Sequence, residues 1–259
     1  MPLPGFHKKA LQASAFFIAF LLSAPLFALC SSTYYDETVT ITRVHDGDTV
    51  TLADGRKIRL IGINSPELAR DGRATEPFAI KARNYLRHFA AQTRRWHVRW
   101  GPQRRDQYGR WLGHVFIGDK NLNAEMLRSG MASVISIPPN LWAQDCYRQQ
   151  EHQARRAAKG IWGSHGIKIW QADDLPRSLR GFQFIRGTVQ KVLPTRKSIW
   201  LKISPHFSVR IAHEDIPYFG RQRLYNLVNK RLEVRGWLSF YRGRLQLRIR
   251  QPAAMQILN

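Results

Sequence analysis

Cysteine is nearly absent from this sequence. Cys30 and Cys146 are the two in 259 residues, too few for a disulfide framework, and no pair of Cys or His residues has structural-zinc spacing. Acidic residues are also scarce, 18 against 41 Lys and Arg, which leaves a formal charge of 41 − 18 = +23. Such a surplus points to polyanionic partners. The nine histidines are scattered, and none pairs at i, i+4 on an expected helix, so they define no metal centre. No internal repeat or low-complexity tract is present. With 44% hydrophobic and 11% aromatic residues the chain is too apolar for a disordered basic tail. The length suits a folded protein of one large domain or two small ones.

The one long apolar run is at the start. His7, Lys8 and Lys9 precede an uncharged stretch from Ala10 to Cys30, broken by Pro25 and offering Ala28 as a small residue for cleavage. Residues 1–30 therefore read as a secretory signal, with an uncleaved anchor as the alternative because about 20 apolar residues span a bilayer. The expected location is exported, periplasmic or secreted. Loss of the signal removes two charges and leaves 23 − 2 = +21. Export would permit a disulfide, so Cys146 stays open as a core residue, a free thiol or a partner of Cys30.

Two blocks follow. In the first, strands are expected at Thr38 to His45, Thr49 to Leu52, Lys57 to Ile63, Trp96 to Trp100 and Trp111 to Ile117. Phe78, Ala82, Tyr85, Leu86 and Phe89 have helical spacing behind a Thr75 N-cap, and further helices are expected at Leu122 to Ser129 and Leu141 to Lys159. Residues 164–181 mix Gly, Pro, Asp and Ser without a period, as a linker does. The second block reads as strands Phe184 to Leu193, Ile199 to Ile203 and Ser208 to Ala212, a helix about Pro217 to Val228, then strands Arg231 to Leu238 and Arg244 to Ile249. That order is the order of an OB barrel. From Ser164 onward the chain has 18 basic and 5 acidic residues, 18 − 5 = +13. Trp200, Trp237, Phe240 and Tyr241 are candidates for a base-stacking platform there, with core packing the alternative.

Three turn segments carry the charged groups suited to chemistry: His45-Asp46-Gly47-Asp48-Thr49, then Arg59 to Ile63 with Asn64-Ser65-Pro66-Glu67, then Arg105-Asp106-Gln107-Tyr108-Gly109-Arg110. Cleaving a phosphodiester requires a positioned water, compensation of transition-state charge and help for the leaving group. Asp48 and Asn64 offer oxygens for a hard cation such as Ca²⁺. Glu67 can orient or deprotonate water, and Arg59 and Arg110 each offer a planar fork of donors to phosphate.

Taken in order, Asp46-Gly47-Asp48-Thr49, Arg59-Leu60-Ile61-Gly62-Ile63-Asn64-Ser65-Pro66-Glu67, Asp106-Gln107-Tyr108-Gly109-Arg110-Trp111-Leu112 and Ala158-Lys159-Gly160-Ile161-Trp162 resemble the staphylococcal nuclease (thermonuclease) family over residues 38–163. The resemblance implies an OB-like β-barrel with three helices, followed at 182–259 by the second OB-like barrel. The fold class is thus mainly β with α. It also implies Ca²⁺-dependent hydrolysis of DNA and RNA, single strands included, to 3′-phosphate ends, and it does not imply a protein partner. Residue by residue, it makes Asp48 a metal ligand, Ser65 a backbone-carbonyl ligand, Glu67 the general base, Arg59 and Arg110 the catalytic arginines, and Tyr108 a substrate contact. The sequence departs from the pattern at Asn64, where the family has a second metal-binding Asp, and at Gln107, where it has a lysine near the terminal phosphate. Ser136 to Pro138 also stand near where the best-known member has tyrosines beside the nucleotide. The second reading is a weak or inactive nuclease-fold protein that binds nucleic acid.

Overall fold

The computed structural model describes residues 29–258 except 70, 71 and 73, so most of the expected signal lies outside the described residues. No helix among the described residues is long and apolar enough to cross a membrane.

Strands β1 (Glu37–Val44), β2 (Thr49–Leu52) and β3 (Lys57–Leu60) form an antiparallel meander. The short β4 (Ile63–Asn64) leads toward helix α1 (Ala79–Gln92), and β5 (Arg95–Arg105), β6 (Trp111–Ile117) and β7 (Lys120–Asn121) follow. β5 pairs with both β1 and β6, and β6 closes on β3 in parallel through Ile58↔Trp111, so five strands make a closed barrel. In β1, Val39 and Ile41 point inward, and a register shift between Ile41 and Arg43 lets Val44 point inward as well. A bulge thus changes the inward parity without ending the strand.

Helix α2 (Leu122–Arg128) is capped by the Asn121 side chain, which accepts from Ala124 N at 3.1 Å. After β8 (Ser133–Val134), which pairs with β4, comes α3 (Gln144–Arg156). Two helix starts differ from the sequence expectation. Phe78 precedes α1 with φ 69° and no side-chain cap, because Thr75 Oγ1 instead accepts from Ala69 N and closes the preceding loop. Helix α3 begins at Gln144, not Leu141, because Trp142 packs edge-on against His114 and the Asn140 side chain bonds to the Gln103 backbone.

Cys30 and Cys146 form a disulfide across 116 residues of sequence, which selects one of the three open states for Cys146. Closing so long a loop restricts the unfolded chain, and removal of a native disulfide typically costs about 2–5 kcal/mol. Cys146→Ser is expected to lose about that much in denaturant unfolding, and reductant should lower the parent to match it.

In the second block, β9 (Ile169–Gln171) lies within the stretch expected as a linker and adds in parallel to β10 (Gly181–Thr188). The expected strand 184–193 is two strands, β10 and β11 (Lys191–Pro194), joined through Val189 and Gln190. The order is β11-β12-β13-β15-β14-β10, with β12 (Ser198–Lys202), β13 (Phe207–Ala212), β14 (Arg231–Tyr241) and β15 (Arg244–Arg248). Because β10 pairs with β14 while β11 pairs with β12, the bent segment brings both edges of the sheet together as a second barrel. The expected helix is split at Gly220 (φ 72°) into α4 (Ile216–Phe219) and α5 (Arg221–Tyr225), and a strand not expected from sequence, β16 (Met255–Leu258), pairs with β14.

The barrels meet through buried ion pairs. Glu151 on α3 accepts from Val134 N at 2.8 Å and from Arg235 of β14 at 2.5 Å. Glu233 accepts from Arg155 at 2.6 Å and Arg186 at 2.9 Å. Burial by itself would raise the Glu233 carboxyl, but the two arginines hold it below the ordinary glutamate value. Trp162 packs edge-on against Phe184, with centroids 5.5 Å apart.

Candidate functional site

The site assembles where the start of β2, the end of β3 and β4 meet. Gly47 lies so close to the β4–α1 connection and to α1 itself that a Cβ there would stand 2.7 Å from Ser65 Cβ and 2.8 Å from Ala82 Cβ, which explains glycine between the aspartates. Asp48 is buried; its Oδ2 accepts from Ser65 N at 2.8 Å and lies 3.1 Å from Arg59 Nη2, while Oδ1 accepts from Thr49 Oγ1. The chain turns after β3 at Gly62 (φ 81°), where a side chain would strike the Tyr147 ring.

Arg59 is folded into this turn. Its Nη1 donates to Leu60 O and Ile63 O, each at 2.8 Å, and Nη2 donates to Asn64 Oδ1 at 3.2 Å. One guanidinium thereby fixes the turn and the Asn64 amide relative to Asp48. Asn64 is held from the other side by β4–β8 pairing and by Ser133 Oγ, which donates to its carbonyl.

Carboxylates crowd this spot. Asp46 Oδ1 accepts from Asp48 N at 2.9 Å, and desolvation followed by the Asp48 charge pushes the Asp46 carboxyl up to about 7. The Glu67 side chain faces solvent, yet its carboxyl is raised, first by partial desolvation and then by Asp48, with Arg59 and Arg110 opposing. Asp46 holds its proton more readily folded than unfolded, relative to an ordinary value of 3.8. Its contribution to stability is therefore complete below the unfolded value and lost as pH rises through about 7. In chelator, Asp46→Asn is expected to raise Tm by several degrees at pH 8 and to change it little near pH 4, as thermal unfolding at both pH values would show.

All donors here are oxygen, the set that a hard cation takes. Among the described residues no three of His, Cys, Asp and Glu form a metal-binding group, so a cation would need amide, carbonyl or water oxygens beside the aspartates. Asp48, Asp46 and the Asn64 amide fit that description, and a cation would relieve the repulsion that raises Asp46.

The third segment lies alongside through β3–β6 pairing. Asp106 Oδ1 accepts from Tyr108 N (2.9 Å) and Arg110 N (3.0 Å), and its Oδ2 accepts from Arg110 Nε (2.7 Å). Asp106 thus sets the Arg110 fork, and Gly109 (φ 77°) makes the turn. Tyr108 is 74% exposed with the Arg110 guanidinium 5.4 Å from its ring centre, and Gln107 is exposed beside it. Asp48, Asn64, Ser65 and Arg59 are in direct contact, Glu67 and Arg110 feel each other's charge, and Tyr108 and Gln107 stand on the outer turn. Asp46 and Asp106 also stand here, and the sequence does not single them out for a role. Both belonged to the quoted motifs, and the i, i+4 spacing of Asp106 and Arg110 was the available signal.

Comparison with known proteins finds relatives for part of this chain. The model for "Staphylococcal nuclease homologue" matches residues 57–164. The thermonuclease of Staphylococcus hyicus is 30% identical over 146 residues, 55% of this chain and 85% of that protein. The chain belongs to the staphylococcal nuclease family. Another thermonuclease, from Staphylococcus intermedius, is 29% identical over 52% of this chain and 82% of its own length. The probable endonuclease LCL3 of Paracoccidioides brasiliensis strain Pb03 is 32% identical over 44% of this chain but only 36% of its own length. As a family member the protein is a nuclease-type hydrolase with a nucleic-acid substrate.

Proposed function

We propose that this is an exported, Ca²⁺-dependent nuclease that cuts DNA and RNA to leave 3′-phosphate ends, with a second barrel that adds grip on nucleic acid. The observation that carries it is the contact set of Asp48, Asn64 and Arg59, with Glu67 close enough to feel the charges of Asp48, Arg59 and Arg110. Glu67 takes the proton of the attacking water, and desolvation followed by the Asp48 charge raises its carboxyl, which makes it a stronger base than an ordinary glutamate. Arg59 and Arg110 hold the phosphoryl oxygens, with Asp106 steadying the second fork. When bound among Asp48, Asp46, Asn64 and the Ser65 carbonyl, the cation supplies Lewis-acid polarisation of a phosphoryl oxygen. Tyr108 and Gln107 contact the substrate at the rim. The Cys30–Cys146 disulfide supports an oxidising, exported location, and it requires that a cleaved leader end before Cys30 instead of including it.

The test is digestion of single-stranded DNA, duplex DNA and RNA with Ca²⁺ titrated against chelator, with end-group analysis of the products. Ca²⁺-dependent cutting to 3′-phosphates is expected. Binding without cutting under any divalent ion would favour the second reading, which rests on the neutral Asn64. In the nuclease, Asn64→Asp is expected to shift the Ca²⁺ titration several-fold toward lower concentration, because it restores an anionic ligand.

A further inference from the structure

The four aromatics expected as one stacking platform are not clustered. Trp237 stands on β14 beside the junction of the barrels, whereas Trp200 stands on β12, and the two are linked by a cross-strand row. Phe182 is paired with Trp237, Arg248 with Arg210, and Arg210 with Trp200. Trp237 and Arg248, on the neighbouring strands β14 and β15, line the same cleft. The residues on either side of Arg210, Arg248 and Trp200 within their strands are buried in the barrel, so these side chains belong to its outer surface. Four strand spacings of about 4.8 Å carry the row over roughly 19 Å.

The cleft at one end of this row joins the two barrels. Its nuclease wall is Val134 to Ile137, the direct continuation of β8, whose Ser133 pairs with Asn64. That wall is aliphatic except for Ser136 and contributes no ring; the rings lining the rest of the cleft are Trp237 and Phe182. Trp237 is 51% exposed, and Phe182 meets it edge-on at 5.2 Å and 78°. The relation of wall to ring is rigid. Arg235, two residues before Trp237 on the same strand face, is locked to Glu151 and donates to Val134 O.

Charge along the row favours an anion. Arg248 is held by Asp215 and Glu214, which orient it and offset its charge, but the Arg210 side chain bonds only to Ser198 Oγ among the described residues. Lys191 and Lys202, paired in the adjacent row, add two more cations. Two cations, Arg248 and Arg210, stand between Trp237 and Trp200 along the row, and rings flanking cations at strand spacing are an arrangement that stacks bases and tracks a phosphate backbone. A duplex cannot offer unstacked bases to such a row, whereas a single strand can.

We propose that a single strand held at the nuclease site continues past Val134 to Ile137 and lays its next bases on Trp237 and Trp200. The second barrel then acts as an extension of the substrate site by a few nucleotides. This rests on the nuclease reading, but binding can be measured without cutting. Anisotropy of labelled oligothymidylates of increasing length, in chelator, would be compared for the full chain, Trp237→Ala, Trp200→Ala and Trp237→Phe, with an abasic oligomer of equal length as control. Affinity is expected to rise with length. Each alanine variant should weaken long oligomers by about tenfold while leaving trinucleotides unchanged, Trp237→Phe should restore most of the loss, and the abasic oligomer should show no effect of either alanine. Equal binding of long oligomers by parent and both alanine variants, or equal binding of abasic and base-bearing oligomers by the parent, would overturn the proposal. If the parent binds in the expected way but never cuts, the nuclease reading fails and the track stands.

Discussion

Glu67→Gln is expected to lower cleavage by about 10²–10⁴-fold, the range typical of a positioned general base, while leaving nucleic-acid binding intact or slightly tighter. Glutamine keeps the size of the side chain and leaves the backbone bonds of residue 67 in place, where its N–H donates to Glu76 Oε2 and its carbonyl accepts from Glu76 N. It removes one negative charge from a cluster in which Asp48 already raises Glu67, so phosphate should bind no worse. The loss therefore belongs in kcat. In the parent, kcat should rise with pH as Glu67 ionises, with an apparent pKa above the ordinary glutamate value of 4.5. Full activity of the variant, measured alongside Kd in chelator, would remove Glu67 from the mechanism.

Arg235→Ala is expected to destabilise the protein by about 3–5 kcal/mol, the cost of stranding a buried charge. The Glu151 side chain is 4% exposed and that of Arg235 11%, so neither can be resolvated without opening the junction of the barrels. Glu151 would retain Val134 N but lose its counter-charge. The damage should not stay local, because Val134 sits in β8 and β8 holds β4 and Asn64. Denaturant unfolding should show the loss, and Arg235→Ala with Glu151→Ala should recover part of it, since the double change removes both charges. A cost below 1 kcal/mol for the single change would mean that the two barrels are joined mainly by apolar contacts such as Trp162 on Phe184.

Much of the site was readable because its residues lie in three short segments at turns, where residue type is constrained by local geometry. Gly47, Gly62 and Gly109 mark those turns, and Asp48, Arg59, Glu67 and Arg110 flank them. The roles of Asp46 and Asp106 were less visible. Each acts on a group two or four residues away, and a carboxylate that caps a turn looks the same in sequence as one that serves a site. Helix starts differ from the expected ones for a related reason: the side chain of Thr75 is drawn to a backbone group in the preceding loop and that of Asn140 to the backbone of β5.

The sequence by itself determined the positive charge, the alternation that makes both barrels, and the identity of the groups available for phosphodiester chemistry. These properties are local or additive, and nothing distant alters them. Only the tertiary structure decided that Cys30 meets Cys146, that the Arg59 fork turns inward onto Asp48 and Asn64, that Glu151 and Glu233 clamp the barrels, and that Trp237 faces the segment leaving β8. Each of these joins residues brought together by barrel closure and docking. Periodicity reports which face of a strand is buried, but not which distant element will cover it.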